Sequence, residues 1–229
     1  MKTLFVTASG TGTGKTYITA ALAAAFKDKG LSVRVLKPVV SGYPGDDGPG
    51  DDGSATDTAI LLKSLEIEPT QEAVEGCSPW RFAEPLSPDM AARREGRSID
   101  FEALVGFCRD AQGGEEDRLL IEGIGGAMVP LDETRTVLDW MAELEAPALV
   151  VVGSYLGTLS HTLTTVTAIQ GRGIGIAGVV VDESDDSPVP VIETVETLAR
   201  FLSGVEIAAV ARNAGPAAVH AALGPMIDV

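Results

Sequence analysis

Short apolar runs, spaced along the chain by stretches of helical composition, restrict this sequence to a small set of folds. The clearest run is Ala148–Val152, which holds no polar residue and is followed by Gly153. A strand that is apolar at every position is buried on both faces, as in parallel sheets covered by helices. We therefore predict an α/β fold with a doubly wound, mainly parallel sheet flanked by helices. The predicted strands are Leu4–Ala8, Val33–Leu36, Leu119–Ile121, Ala148–Val152, Ile176–Val181 and Val205–Val210.

The segments between these runs have helical composition. Residues 15–29 are rich in alanine and are followed by Gly30, the residue type that most often ends a helix. For residues 204–229 the pattern predicts one strand and no clear helix. No linker or internal repeat divides the chain, so we expect a single domain over residues 1–229. Further helices are predicted near 56–65, 87–95, 100–112, 136–145, 158–171 and 190–203.

A glycine-rich segment, ASGTGTGKT at residues 8–16, follows the first predicted strand and opens a predicted helix. Its glycines let backbone N–H groups face inward around an anion, and the helix N-terminus adds partial positive charge. Lys15 can reach the β- and γ-phosphates of a nucleotide, and the Thr16 hydroxyl can ligate Mg²⁺. Ser9 stands where the usual pattern has its first glycine. The segment predicts a P-loop NTPase type of fold that binds a nucleoside triphosphate with Mg²⁺.

Two charged residues follow other predicted strands. Lys37 comes after Val33–Leu36, and Glu122 comes after Leu119–Ile121. Ligands of doubly wound sheets bind beyond the carboxyl ends of the strands, so both side chains are expected near the phosphate loop. A lysine there can stabilise charge on a transferring phosphoryl group, and a carboxylate can hold Mg²⁺. Asp57 begins a predicted helix, where an N-cap or first-turn role accounts for it without any metal.

The charge balance limits the classes of partner. The chain carries 17 Lys and Arg against 33 Asp and Glu, a formal net charge of −16. Such a surface repels nucleic-acid phosphates and anionic lipid headgroups, so neither nucleic acid nor membrane is expected as a partner. The sequence shows no membrane-spanning run and no signal-peptide pattern, which favours a cytoplasmic protein. The Gly-, Pro- and Asp-rich stretch near 43–55 is predicted to be an acidic flexible loop.

Five segments follow one another in an order typical of a single enzyme family. Together they resemble the dethiobiotin synthetases over roughly residues 1–185, and motifs in such an order are far more specific than any one alone. The segments are VTASGTGTGKT at 6–16, KPVVSG at 37–42, FAEPLSP at 82–88, EGIGG with the following Pro-Leu at 122–131, and VVGSYLGTLSH at 151–161.

The resemblance implies a reaction. Members of that family carry out ATP- and Mg²⁺-dependent carboxylation and ring closure of 7,8-diaminopelargonic acid with CO₂ to give dethiobiotin. One amine takes up CO₂ as a carbamate, and the carbamate attacks the γ-phosphate to give a mixed carbamic–phosphoric anhydride. The second amine then closes the ureido ring. The resemblance further implies a homodimer with the substrate site near the subunit interface.

The matching positions imply individual roles by the same resemblance. Catalytic roles fall on Lys37, Lys15 and Thr11. Mg²⁺ ligands fall on Thr16, Asp57 and Glu122. Nucleotide contacts fall on Gly12, Thr13, Gly14, Lys15, Thr16, Tyr17 and Asp182. Substrate contacts fall on Ser41, Gly123, Leu156, Gly157, Thr158 and Ser160.

The base preference, one of several points where the chain departs from the family, and two other functions remain open at this stage. Asp182 stands where the family has an adenine-reading asparagine, and a carboxylate accepts hydrogen bonds where an amide also donates, so the base preference is open. A regulatory P-loop ATPase of the partition or septum-positioning type would share the sheet, but those proteins have a lysine at the position of Gly10. A ligand sensor without catalysis would not need Lys37 and Glu122.

Overall fold

A six-stranded parallel sheet forms the centre of the computed structural model, which describes residues 2–44, 56–185 and 187–227. The strand order is β2-β5-β1-β6-β7-β8, and β3 and β4 form a separate two-stranded parallel sheet. The predicted fold class is therefore confirmed. The strands are β1 Lys2–Ala8, β2 Val33–Leu36, β3 Val39–Ser41, β4 Trp80–Phe82, β5 Arg118–Glu122, β6 Ala148–Gly153, β7 Ile176–Asp182 and β8 Ile207–Val210.

The continuous apolar strands are explained by a core on each face of the sheet. In β6, Val150 and Val152 pack into one core, whereas Leu149 and Val151 pack into the other. Successive side chains of a strand point to opposite faces, so both sets must be apolar. The helices are α1 Lys15–Asp28, α2 Asp57–Ser64, α3 Gln71–Cys77, α4 Pro88–Arg94, α5 Phe101–Gln112, α6 Val137–Leu144, α7 Thr158–Gly171, α8 Val191–Phe201 and α9 Pro216–Ile227.

The helices divide between the two faces. Buried residues of α1, α2 and α9 join the core that holds Val151, and those of α4 to α8 join the core that holds Val150. No helix among the described residues is long and apolar enough to cross a membrane. The predicted acidic loop falls at 45–55 for most of its length, outside the described residues.

Four elements were not predicted from the sequence. The strands β3 and β4 have three residues each, too few for a periodic pattern, and they pair over a long sequence separation. Helices α3 and α9 were also missed, the latter because its apolar residues show little helical periodicity.

The strand order brings the predicted site residues to one edge of the sheet. The phosphate loop follows β1, Lys37 follows β2, and Glu122 is the last residue of β5. Because β5 lies between β2 and β1, these three features are neighbours at the carboxyl ends of parallel strands. That edge is where doubly wound sheets bind their ligands.

Candidate active site

The phosphate loop, residues 9–14, turns sharply between β1 and α1. Gly12 has a φ of 71° and Gly14 a φ of 85°, a region that glycine enters without the steric cost other residues meet. The Lys15 ammonium donates a hydrogen bond to the Gly10 carbonyl over 3.1 Å, so its side chain lies back across the loop. Within the described chain, the buried hydroxyl oxygens of Ser9 and Thr13 have no hydrogen-bond partner. Buried polar atoms are normally satisfied, so this loop is suited to a polar ligand.

Lys15 has an altered acidity. Burial, together with the positive charge of Lys37, lowers the pKa of Lys15 to about 8. The negative charges of Glu122 and Asp57 oppose this shift. An anion held by the loop would favour the charged ammonium again, since opposite charge nearby stabilises it.

Lys37 forms the centre of a buried charge cluster. Its side chain is 5% exposed, and its ammonium donates to Oε1 of Glu122 and lies 2.9 Å from Oδ2 of Asp57. Burial disfavours the charged form, but the two carboxylates outweigh it and raise the pKa of Lys37 above its usual value. Lys37 is therefore a charged ammonium at neutral pH.

Glu122 and its neighbours provide oxygen ligands for a metal. Its Oε1 also accepts a 2.7 Å hydrogen bond from the Thr16 hydroxyl, whereas its buried Oε2 has no partner among the described residues. A buried carboxylate oxygen without a donor is costly, and a cation would satisfy it. Asp57 is 46% exposed and reaches the same cluster through Lys37.

This donor set fits Mg²⁺ better than a metal held by protein alone. The described residues contain no group of three His, Cys, Asp or Glu that could hold an ion. One hydroxyl and two carboxylates are present instead, in Thr16, Asp57 and Glu122. Mg²⁺ commonly takes one or two carboxylates and completes its shell with water and substrate phosphates.

A second glycine-rich turn packs against the phosphate loop. The Ala127 N–H donates to the Ala8 carbonyl over 3.0 Å. A Cβ added to Gly126 would lie 3.2 Å from backbone atoms of Ser9 and Gly10, tighter than ordinary contacts. A glycine at position 126 therefore lets the segment after Glu122 approach the loop closely.

The cleft between these segments has a volume of about 380 Å³. The structure brings together in its wall most of the residues predicted for nucleotide, metal and catalysis. Val40, Ile124 and Gly125 also line it but were not predicted as site residues; their signal was their position beside Ser41 and Glu122. The lining residues are Thr11, Gly12, Thr13, Gly14, Lys15, Thr16, Tyr17, Lys37, Val40, Ser41, Asp57, Ile124 and Gly125.

Other predicted substrate residues lie outside this wall. Gly123 packs toward the core, where an added Cβ would lie 2.9 Å from Phe5. The segment at 156–160 lies after β6, where Leu156 is 87% exposed and the Thr158 hydroxyl donates to the Gly153 carbonyl over 2.6 Å. Gly157, with a φ of 100°, precedes α7, and Ser160 is exposed in its first turn.

Asp182, at the end of β7, contacts the start of α1. A Cβ added to Gly14 would lie only 2.0 Å from its Oδ2, so the carboxyl group occupies the space beside the glycine. Partial burial raises the pKa of Asp182 to about 6, with Arg212 opposing and Glu183 reinforcing the shift. Burial and the Asp182 charge also raise the pKa of Tyr17.

We expect Asp182→Asn to stabilise the protein at pH 7.5 and to have no stabilising effect at pH 4. The native carboxyl group binds its proton more tightly than in the unfolded chain, where the pKa is near 3.8, so its contribution to stability is lost as pH rises toward 6. After allowance for solvent screening, we expect the substitution to raise the free energy of unfolding at pH 7.5 by about 1 kcal/mol. Thermal unfolding at both pH values measures it, and an equal gain at pH 4 would contradict this explanation.

Known proteins with similar sequences share one enzymatic description. A family model described as an AAA domain matches residues 2–214. ATP-dependent dethiobiotin synthetase BioD of Acidiphilium cryptum is 47% identical over 88% of this chain and 89% of its own length. The protein of the same name in Methylobacterium nodulans is 45% identical over 94% of this chain and 95% of its own. The one in Bacillus licheniformis is 34% identical over 100% of this chain and 94% of its own.

Solved structures show the same fold at much lower identity. The MinC:MinD cell division protein complex of Aquifex aeolicus matches with a TM-score of 0.56 and 15% identity, over 93% of this chain and 82% of the other. The MinD protein of Pyrococcus horikoshii bound to Mg-ADP has a TM-score of 0.52 and 17% identity, over 93% and 82%. These likenesses concern the fold alone and carry no argument for a cell-division role.

Proposed function

The chain belongs to the dethiobiotin synthetase family of ATP-dependent ligases, and on that premise we propose that it converts 7,8-diaminopelargonic acid, CO₂ and ATP to dethiobiotin, ADP and phosphate. The observation that carries this proposal is the buried Lys37, held as an ammonium by two carboxylates in the wall of the phosphate-loop cleft. A second buried lysine beside the phosphate loop is suited to stabilise negative charge on a transferring group.

The proposed reaction has three steps. One amine of the substrate adds to CO₂ and loses a proton, which gives a carbamate. A carbamate oxygen attacks the γ-phosphorus of ATP and displaces ADP, which gives a carbamic–phosphoric anhydride. The second amine then attacks the carbonyl carbon, loses a proton and expels phosphate, which closes the five-membered ureido ring. Each step needs aligned reactants and stabilised anionic charge. None of the three steps requires a covalent bond to the protein.

The proposed roles follow from the contacts in the cleft. Lys15 and the N–H groups of residues 12–16 would hold the polyphosphate at the start of α1. Lys37 would neutralise charge on the carbamate and on the transferring phosphoryl group. Thr11 and Ser41, which line the same cleft, would contact the substrate side of the reacting centre.

Thr16, Asp57 and Glu122 are proposed to hold Mg²⁺. The unpartnered Oε2 of buried Glu122 supports this assignment. When bound, Mg²⁺ supplies charge neutralisation for the β- and γ-phosphates. Asp182 and Tyr17, beside the first turn of α1, are proposed to face the base end of the nucleotide, and the preference among bases is part of the test below.

The remaining substrate residues are proposed to act across a homodimer, with the whole chain as one synthetase domain. Leu156, in the segment that the family resemblance assigns to the substrate, is 87% exposed and is therefore accessible to a second subunit. The N–H groups at the start of α7 would then receive the carboxylate of substrate bound mainly to the other subunit.

Phosphate release from MgATP, measured with and without diaminopelargonic acid and bicarbonate, tests the proposal. We expect release only when both substrates are present, with a product of the mass of dethiobiotin in the same reaction. Parallel reactions with CTP and GTP determine the base preference. Phosphate release that does not depend on either substrate would contradict the synthetase activity and favour a regulatory ATPase.

A further inference from the structure

Two hydroxyl groups that the reaction does not use form a fully buried hydrogen bond next to the site. The Thr58 Oγ1 and Ser78 Oγ atoms are 2.8 Å apart, and both residues are 0% exposed. Thr58 is the second residue of α2, directly after Asp57, and Ser78 directly follows α3. We call this pair the hydroxyl clasp. A buried polar pair needs a reason, because an apolar contact of the same shape is usually as stable.

The segment that carries Ser78 also supports Lys37. The Cys77 carbonyl accepts the Lys37 N–H over 3.1 Å, and the Trp80 N–H donates to the Pro38 carbonyl over 3.0 Å. The chain at 77–80 therefore runs beside Lys37 and is hydrogen-bonded to its backbone. Through the hydroxyl clasp, the same segment holds the first turn of α2. Both members of the Lys37–Asp57 ion pair thus depend on one support.

Asp57 depends on this support because it starts a short helix and its side chain is only half-buried. Helix α2 has eight residues and packs against α1 and α3. Thr56 caps it by accepting the Ala59 N–H over 3.2 Å, a bond within the helix that does not fix the helix to the rest of the site. Apart from Asp57 itself, Thr58 is the described first-turn side chain that forms a hydrogen bond to another element.

We propose that the hydroxyl clasp positions Asp57 against Lys37 and thereby sets the affinity of the site for Mg²⁺ with its nucleotide. Thr58 and Ser78 are positioning residues, since they act through Asp57 and do not contact the reacting groups. This inference rests on the proposed function, because it takes Asp57 as a metal ligand. Partners that orient a metal ligand commonly affect metal affinity 10- to 100-fold.

Thr58→Val tests the proposal with little change in side-chain shape. Binding of a fluorescent, non-hydrolysable ATP analogue is titrated with Mg²⁺. We expect the Mg²⁺ concentration for half-maximal binding to rise about tenfold, while binding without Mg²⁺ changes less than about twofold. Thr58→Ser keeps the hydroxyl and should restore most of the affinity. Thr194→Val removes a hydroxyl from a buried threonine of α8, which carries no site residue, and serves as the matched control.

A second variant separates positioning from stability. Ser78→Ala should weaken Mg²⁺ binding as Thr58→Val does, and the double variant should be no worse than either, because the two hydroxyls act as one unit. If Thr58→Val folds poorly, Ser78→Ala alone tests the proposal. A lower unfolding temperature with unchanged Mg²⁺ dependence would overturn the proposal and leave the clasp a purely structural pair.

Asp57→Asn distinguishes this failure from a failure of the proposed function. If Asp57→Asn weakens Mg²⁺ binding and Thr58→Val does not, the positioning role is wrong and the metal site stands. If Asp57→Asn leaves Mg²⁺ binding unchanged, the metal assignment itself is wrong, and the clasp proposal falls with it.

Discussion

Lys37→Met is expected to lower the rate of dethiobiotin formation about 1,000-fold, while the affinity for nucleotide falls far less. Lys37 provides a buried positive charge in the wall of the cleft, and the loss of one preorganised group that stabilises developing charge typically costs 100- to 1,000-fold. Methionine keeps most of the length of the side chain and removes the charge together with the N–H donors of the ammonium. Product formation under saturating substrates and binding of a fluorescent ATP analogue are the two measurements.

The same substitution should also destabilise the fold, and this must be separated from catalysis. Without Lys37, the fully buried Glu122 carboxylate loses the ammonium that donates to it, and removal of one partner of a buried pair costs about 3 kcal/mol. Activity is therefore compared well below the unfolding temperature of the variant. Lys27→Met is the matched control, because Lys27 pairs with Glu66 at the surface. A Lys37→Met enzyme with nearly normal turnover would refute the carbamate role.

Glu122→Gln is expected to raise the Mg²⁺ concentration needed for nucleotide binding at least about 100-fold, because it removes the charge of a proposed direct ligand. Glutamine keeps the shape of the side chain, and its carbonyl can still accept from the Thr16 hydroxyl. The pKa of Lys37 should fall as well, since Glu122 is one of the two carboxylates that raise it. Mg²⁺ titration of analogue binding measures the first effect.

A charge-matched surface variant controls for the net charge of the protein. Glu206 is exposed just before β8, and Glu206→Gln removes the same charge far from any predicted site residue. We expect it to leave the Mg²⁺ dependence unchanged. If Glu122→Gln were equally silent, the buried carboxylate would have a structural role only, and the proposed metal site would be wrong.

The sheet could be predicted because its strands are apolar at nearly every position. Burial between two layers of helices requires this composition, so Ala148–Val152 and Ile176–Val181 identify strands without any partner being known. The strands Val39–Ser41 and Trp80–Phe82 could not be found in this way. They are short, and each is stabilised by the other across a long stretch of chain, which a local pattern does not contain.

The location of a site residue could be predicted where the residue follows a strand. Elsewhere the sequence was less informative. Lys37 and Glu122 could be assigned to one edge because parallel strands end there. From the residues alone, the start of a helix was the favoured explanation of Asp57. It is indeed the first residue of α2, yet it also contacts Lys37. The contact of Asp182 with Gly14, and the clasp between Thr58 and Ser78, depend on how separate elements pack.

The central position of β1 determines when a nascent chain can first bind nucleotide. Its neighbours are β5 and β6, so both of its edges lack a partner until Arg118–Glu122 and then Ala148–Gly153 have left the ribosome. At ordinary rates of translation, the delay between the emergence of Ala8 and that of Glu122 is on the order of 10 s. During that time the apolar β1 segment has neither of its strand partners, so its backbone groups are available to chaperones or to other chains. Nucleotide can therefore begin to stabilise this protein only after Gly153, about two thirds of the way along the chain, has been made.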